Sequence, residues 1–251
     1  MIVTGRFLVL STLFFLVASD SSAATQERAN ANIVRSASGT HSFFETDGVT
    51  MRGREHFRMI VHGDGSRSMM IVKNMFGNDR QNTIVMRVDR NYRPEEVFAS
   101  YRYPEGFKGS VWITLAGDRL HATSSGPGGR TEHEVTVPRE ISVVTHAEGL
   151  NGWNSSVADP SDTTQGGPTT MTRTTYFISP IPGADGPVLG SLRRATLTRV
   201  GEETITVPAG TFETIHYSTG DLNVWAMKGD RILVRQTFKG EDYVLTEYHG
   251  Q

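Results

Sequence analysis

ETITVPAGTFETIHYSTGDLNVWAMKGDRILVRQTFKGEDYVLTEY, residues 203–248, decides the fold. Glu203–Val207, Phe212–Ser218, Leu222–Met227, Arg231–Phe238 and Asp242–Tyr248 are rich in β-branched and aromatic residues. They are separated by Pro208-Ala209-Gly210, Thr219-Gly220-Asp221, Lys228-Gly229-Asp230 and Lys239-Gly240-Glu241. Every link holds a glycine and is hairpin-sized, and strands joined this way run antiparallel. Ser191–Val200, ahead of Gly201-Glu202, adds one more strand at the front.

The same rhythm persists toward the N-terminus. From Val49 to His62 side chains alternate: Glu55, Phe57, Met59 and Val61 share one side, and Arg54, His56, Arg58 and His62 the other. Period two means a strand with its faces sorted. Gly63-Asp64-Gly65 and Gly77-Asn78-Asp79 turn the chain. Ser66–Phe76, Gln81–Arg90, Glu95–Tyr103, Lys108–Ala116 and Arg119–Ser125 continue the meander. Thr131–Val137 and Glu140–His146 flank Pro138, and Thr169–Ser179 resumes the pattern after a break. The break, Ala147–Pro168, is crowded with Gly, Asn and Pro and reads as a long loop with at most a short helix around Ala147–Trp153. No strand is followed by a helix of crossover length, which excludes a parallel α/β sheet. The expected fold is all-β: one domain over residues 40–251, a single strongly curved antiparallel sheet (a β-clam or half-open barrel) with at most one or two short helices. Residues 24–39 lack periodicity and read as a flexible leader.

Residues 1–23 read as a signal peptide: Arg6, an apolar run from Phe7 to Ala18, then small residues. That run is shorter than the roughly 20 residues a membrane-spanning helix needs. Cleavage falls after Ala23 or Ala24, so the processed chain is expected in the periplasm or outside the cell, not spanning a membrane. The chain has no cysteine, which excludes a thioether-linked lipid anchor, disulfides and thiolate catalysis. Lys and Arg total 25 against 27 Asp and Glu, without clusters. That pattern lacks the basic footprint of a nucleic-acid binder, and no nucleic-acid partner is expected.

The corner Val207-Pro208-Ala209-Gly210-Thr211-Phe212, the Trp225 strand and the final Tyr243-Val244-Leu245 strand together resemble a set of periplasmic proteins of unknown function. Those are similar in turn to the LolA-type lipoprotein-carrier β-clam. The resemblance covers about the last 60 residues well, and it implies a curved antiparallel sheet closing on an apolar cavity. The corner also has a local cause: Pro208 cannot donate to a ladder, and Gly210 permits the bend. The long Ala147–Pro168 segment departs from that pattern, and no site is carried over.

No nucleophile elbow, H-E-x-x-H or phosphate loop is present. His56, Arg58 and Tyr101 form the nominal catalytic set, on the condition that their strand faces line the cavity; the same alternation suits a solvated outer face. Trp112, Trp153, Tyr103 and Trp225 are the nominal ligand-binding aromatics, which core packing explains as well. Trp153, with Asn151, Asn154 and Asp159, reads as a lid over a cavity mouth. Six methionines in the first strands, Met51 to Met86, suit an adaptable apolar lining. His121, His133 and His146 lie on successive strands, but nothing sets their register, so neither a metal nor a cofactor is expected.

Two functions fit. One is a module that binds a small hydrophobic or aromatic molecule, or a lipid, in a sheet cavity. The other is a cofactor-independent lyase, isomerase or hydrolase acting on a small hydrophobic substrate there. The sides of the sheet that carry His56, Arg58 and Tyr101 separate them.

Overall fold

The computed structural model describes residues 33–104, 108–157, 169–178 and 188–250. Its first half is an antiparallel meander of eight strands: β1 (Ile33–Phe44), β2 (Met51–His62), β3 (Arg67–Met75), β4 (Arg80–Val88), β5 (Pro94–Arg102), β6 (Lys108–Ala116), β7 (Arg119–Gly126) and β8 (Gly129–Thr136). The chain then crosses to the far edge of the sheet. There the short β9 (Ile141–Val144) lies parallel to β10 (Thr169–Ile178). A second meander returns through β11 (Gly190–Val207), β12 (Gly210–Thr219), β13 (Leu222–Met227), β14 (Leu233–Phe238) and β15 (Glu241–Gly250). β15 pairs with β1, which makes one sheet in the order 8-7-6-5-4-3-2-1-15-14-13-12-11-10-9.

The alternation read from the sequence sorts the two faces. Phe57 and Met59 on β2, Met69 and Ile71 on β3, and Ile84 and Met86 on β4 are all buried on the concave side. The sheet is barrel-like but not closed by a ladder. Hydrogen bonds bridge its two ends: His133 Nδ1 on β8 lies 3.2 Å from the Tyr176 hydroxyl on β10, and Ser124 Oγ on β7 accepts the Val188 N–H at 2.7 Å.

Three local expectations change. β1 begins at Ile33, inside the stretch read as leader; Ile33–Gly39 pairs with β2, and Ala37–Gly39 also pairs with β15. Its polar pattern fits a strand held mainly by ladders, where Gly39 admits the Phe57 ring: a Cβ there would meet that ring at 2.7 Å. The two strands expected on either side of Gly201 are one long strand, β11, with a register shift between Arg199 and Gly201. One strand pair, β9–β10, is parallel. The Pro208-Ala209 corner is a tight hairpin in which Gly210 takes φ +139°, a conformation that L side chains rarely adopt.

The largest correction concerns the hollow. Residues 145–156 fill it, as a turn of 3₁₀ helix at Glu148–Leu150 followed by α1 (Asn151–Ser156). Leu150 and Trp153 are fully buried, and Trp153 donates its indole N–H to the Asp230 carbonyl at 2.9 Å. Tyr101, on the opposite wall, donates to the Thr145 carbonyl at 2.9 Å. Trp153 and Asn154 are therefore core residues and not a lid, Asn151 stands at a cavity rim, and Asp159 lies outside the described residues. The glycines that made this segment look like a loop are sites of close packing. A Cβ on Gly152 would sit 2.0 Å from the Arg231 carbonyl oxygen.

Backbone cannot move aside as a side chain does, so Gly152→Ala is expected to destabilise by about 3 kcal/mol. Trp153→Ala is expected to cost about 3–5 kcal/mol. Gly201→Ala, where a Cβ meets nothing within 4 Å, serves as the comparison and should change stability by less than about 0.5 kcal/mol. Urea unfolding of the three variants checks the order; equal losses would contradict the filled interior.

Candidate functional site

The filled interior leaves a cavity of about 490 Å³ at one mouth of the sheet, where β3 ends, β4 begins and the turn after β9 passes. Its apolar side includes Tyr103, Val144, Phe177, Leu222 and Phe238, and its polar side includes Lys73, Asn82, His146, Glu148 and Tyr243.

The floor is held by a buried glutamate carboxyl group. Glu55, on β2, accepts the Gly149 N–H on Oε1 at 2.6 Å and the Glu148 N–H on Oε2 at 3.0 Å. Its Oε1 also lies 3.6 Å from His41 Nδ1. His41 donates its Nε2–H to the Leu233 carbonyl at 2.8 Å, which leaves Nδ1 as a bare acceptor facing Glu55. Burial first, and the nearby Glu148 charge second, push the Glu55 carboxyl up to about 8. Burial lowers His41 to about 4. Both groups are thus favoured neutral, and a protonated Glu55 points its charge-free carboxyl at the His41 lone pair. With exposures of 0 % and 1 %, the pair is sealed from the mouth and supports the fold, not a substrate.

Above the floor, Lys73 reaches up from β3. Its ammonium donates to the Glu148 carboxylate and, at 3.2 Å, to the His146 carbonyl, and lies 4.9 Å from the centre of the Phe43 ring. Arg52 pairs with Glu241, which also accepts the Tyr243 hydroxyl at 2.7 Å. Burial, then the Glu148 charge, raise the Tyr243 hydroxyl pKa, so it stays protonated.

Among the described residues, two buried acceptors on side chains that line this cavity have no partner: Asn82 Oδ1 and His146 Nε2. Asn82 is 5 % exposed and uses its Nδ2 on the His146 carbonyl at 3.5 Å. The His146 ring bonds to the Ile178 backbone, and its pKa is lowered by burial first, so Nε2 keeps a lone pair at neutral pH. The His146 backbone has φ +58°, in the left-handed region that costs an L residue about 1 kcal/mol. A histidine in a strained backbone conformation and two unpartnered buried acceptors thus border one cavity.

The sequence-nominated residues scatter. His56 and Arg58 are exposed on the outer face, where His56 meets Thr40 Oγ1 at 3.0 Å, while Tyr101 is buried on the inner face; the three do not come together. Trp112 is exposed on the convex face. Trp225 stacks on His216 at 4.4 Å and donates to Glu203 at 2.6 Å. Of the four aromatics, only Tyr103 lines the mouth. His121, His133 and His146 lie on separate surroundings, and among the described residues no group of three metal-ligating side chains forms. Glu55, Lys73 and Asn82 were missed as site residues. Their signal is parity: each occupies the same face of its strand as neighbouring core residues, where a charge or amide needs a reason.

Fold and site together define an all-β protein, an open barrel-like sheet with a filled interior and one half-apolar, half-polar mouth. No family model matches the chain, and no curated protein matches it in sequence. Among solved structures, it is similar to a beta-barrel-like protein of domain of unknown function DUF1849 from Brucella abortus, with 9 % identity, 89 % of this chain and 100 % of that chain covered, and a TM-score of 0.46. The fold class stated above rests on the strand pairing itself.

Linkage gives the pH behaviour its sign. Glu55 has its folded value raised, so the stability it contributes is full below about 4.5 and is lost as pH rises through about 8. His41 is a base held low; its contribution is full above 6.5 and lost as pH falls through about 4. Urea unfolding should therefore show stability declining toward pH 9, and Glu55→Gln should flatten that alkaline decline. An alkaline limb unchanged in Glu55→Gln would contradict the assignment.

Proposed function

We propose that the protein is a binding module, exported by its N-terminal segment, that holds a small half-apolar molecule at the mouth of the sheet. The observation that carries this reading is the pair of unpartnered acceptors, Asn82 Oδ1 and His146 Nε2, beside the apolar wall of one cavity. A ligand offering N–H or O–H donors to those atoms satisfies groups that are otherwise buried without a partner, and leaving such groups unsatisfied costs about 1–3 kcal/mol each. Its apolar part lies against Tyr103, Phe177 and Phe238, with burial contributing about 25 cal/mol per Å² before ordering costs.

The ligand of this reading is narrower than a simple hydrophobe. A cargo of the kind implied by the LolA-type resemblance needs an apolar hollow, and here residues 145–156 occupy that space. An aromatic molecule bearing an amide or hydroxyl group suits the mouth better than a plain hydrocarbon. The catalytic alternative lacks support from its nominated residues, since His56 and Arg58 stand outside and Tyr101 inside.

Benzamide, 4-hydroxybenzamide and phenol serve as probes, with toluene as the donor-free comparison. Saturable shifts of the Asn82 side-chain amide and the His146 ring signals are expected in NMR titration for the donor-bearing probes and not for toluene. His146→Gly is expected to reduce that binding by roughly tenfold, because one of the two acceptors is gone. The same change relieves the positive φ but removes the ring's bond to the Ile178 backbone and its contact with Phe177, so unchanged circular dichroism is the check that the fold is kept. Equal binding of toluene, or full binding by His146→Gly, would overturn the reading.

A further inference from the structure

The convex side of the first meander carries a feature the mouth does not explain. Met70, Val85, Phe98 and Trp112 lie directly opposite one another on β3, β4, β5 and β6. They are 48 %, 40 %, 41 % and 55 % exposed, on positions where alternation places polar residues. Adjacent strands are about 4.8 Å apart, so the four form a continuous apolar ridge about 14 Å long across the sheet. The rows on either side are largely polar: Ser68, Arg87, Glu96 and Thr114 on one, Thr83, Ser100 and Ser110 on the other.

The charge around the ridge is one-sided. Arg58 continues the row on β2, directly opposite Met70. Arg54, Arg58, Arg102 and Lys108 are exposed on this face and have no carboxylate partner among the described residues, while Arg87 is bonded to Glu95 at 3.0 Å. Glu96, with the Glu95 bonded to Arg87, supplies the acids on the outer side of β2–β6 among the described residues. This occurs on a chain of formal net charge −2, so the cations are concentrated here against the overall balance.

From this juxtaposition we infer that the convex face of β2–β6 docks on an anionic lipid surface, with Phe98 and Trp112 entering the headgroup layer and the unpaired cations meeting lipid phosphates. Trp and Phe favour the interfacial layer, and basic residues beside them add attraction to anionic headgroups. The contact is peripheral and does not involve the mouth cavity.

The test uses the chain from Ala24 onward, which contains every described strand and omits the apolar Phe7–Ala18 run that would itself bind lipid. Phosphatidylcholine vesicles with about 30 % phosphatidylglycerol are compared with pure phosphatidylcholine vesicles, following co-sedimentation and tryptophan emission. Binding to the anionic vesicles is expected, weakening as salt rises and accompanied by a blue shift of the Trp112 emission. The double variant Phe98→Ser, Trp112→Ser is expected to lose roughly tenfold in binding. Arg58→Glu, Arg102→Glu, which leaves the apolar ridge whole, is expected to lose a comparable factor. Both pairs are exposed, and unchanged circular dichroism reports that the fold is kept. Failure of the parent chain to bind anionic vesicles, or undiminished binding by the Phe98→Ser, Trp112→Ser variant, would overturn the inference.

Discussion

A single buried carboxyl group ties the middle of the chain to its beginning. Glu55 reaches from β2 to two successive backbone N–H groups, those of Glu148 and Gly149, and in doing so seats the short helical segment inside the sheet. A curved sheet of this size needs something to fill its concave side, because close-packed interiors leave few voids larger than a water molecule. Leu150 and Trp153 provide the bulk, and the Glu55 clamp fixes where the segment enters. Gly149 is required at that point, since a Cβ there would lie 2.5 Å from Glu55 Oε1.

The site follows from the same clamp. Seating Glu148 brings its carboxylate to Lys73, and the turn before it forces His146 into the left-handed region. The fold leaves a cavity at this mouth, lined among others by Asn82 and His146, whose unpartnered acceptors are buried beside it. The sealed Glu55–His41 pair and the open Asn82–His146 pair differ in this respect. The first has its groups facing each other across 3.6 Å, and the second has buried acceptors without a partner on side chains that line the cavity. The convex face is independent of both, because alternation fixes what points outward whatever fills the inside.

Much of this was legible in the residues. Period two from Val49 to Val61 placed Phe57, Met59 and Val61 on one face, and the glycine-bearing links after Val207 marked the second meander. Alternation does not say which face is inside, so His56 and Arg58 were open to either reading until the buried Phe57 row decided it. The plug was hidden because Gly149 and Gly152 look like loop residues in a sequence, while their role is close approach to Glu55 and the Arg231 carbonyl. β1 was hidden for a related reason: Ser36, Ser38 and Gly39 show no apolar period, and their ladders to neighbouring strands hold them. Glu55 was visible on the apolar side of its strand, and that misplaced charge was the one signal for the clamp.

Native-state hydrogen exchange at the Glu148 and Gly149 amides tests the filled interior most directly. If Glu55 clamps the segment inside the sheet, these two amides exchange as slowly as the ladder amides of β2 and β3. Exchange as fast as that of the exposed turn at Gly77 would show the segment unclamped and the hollow open.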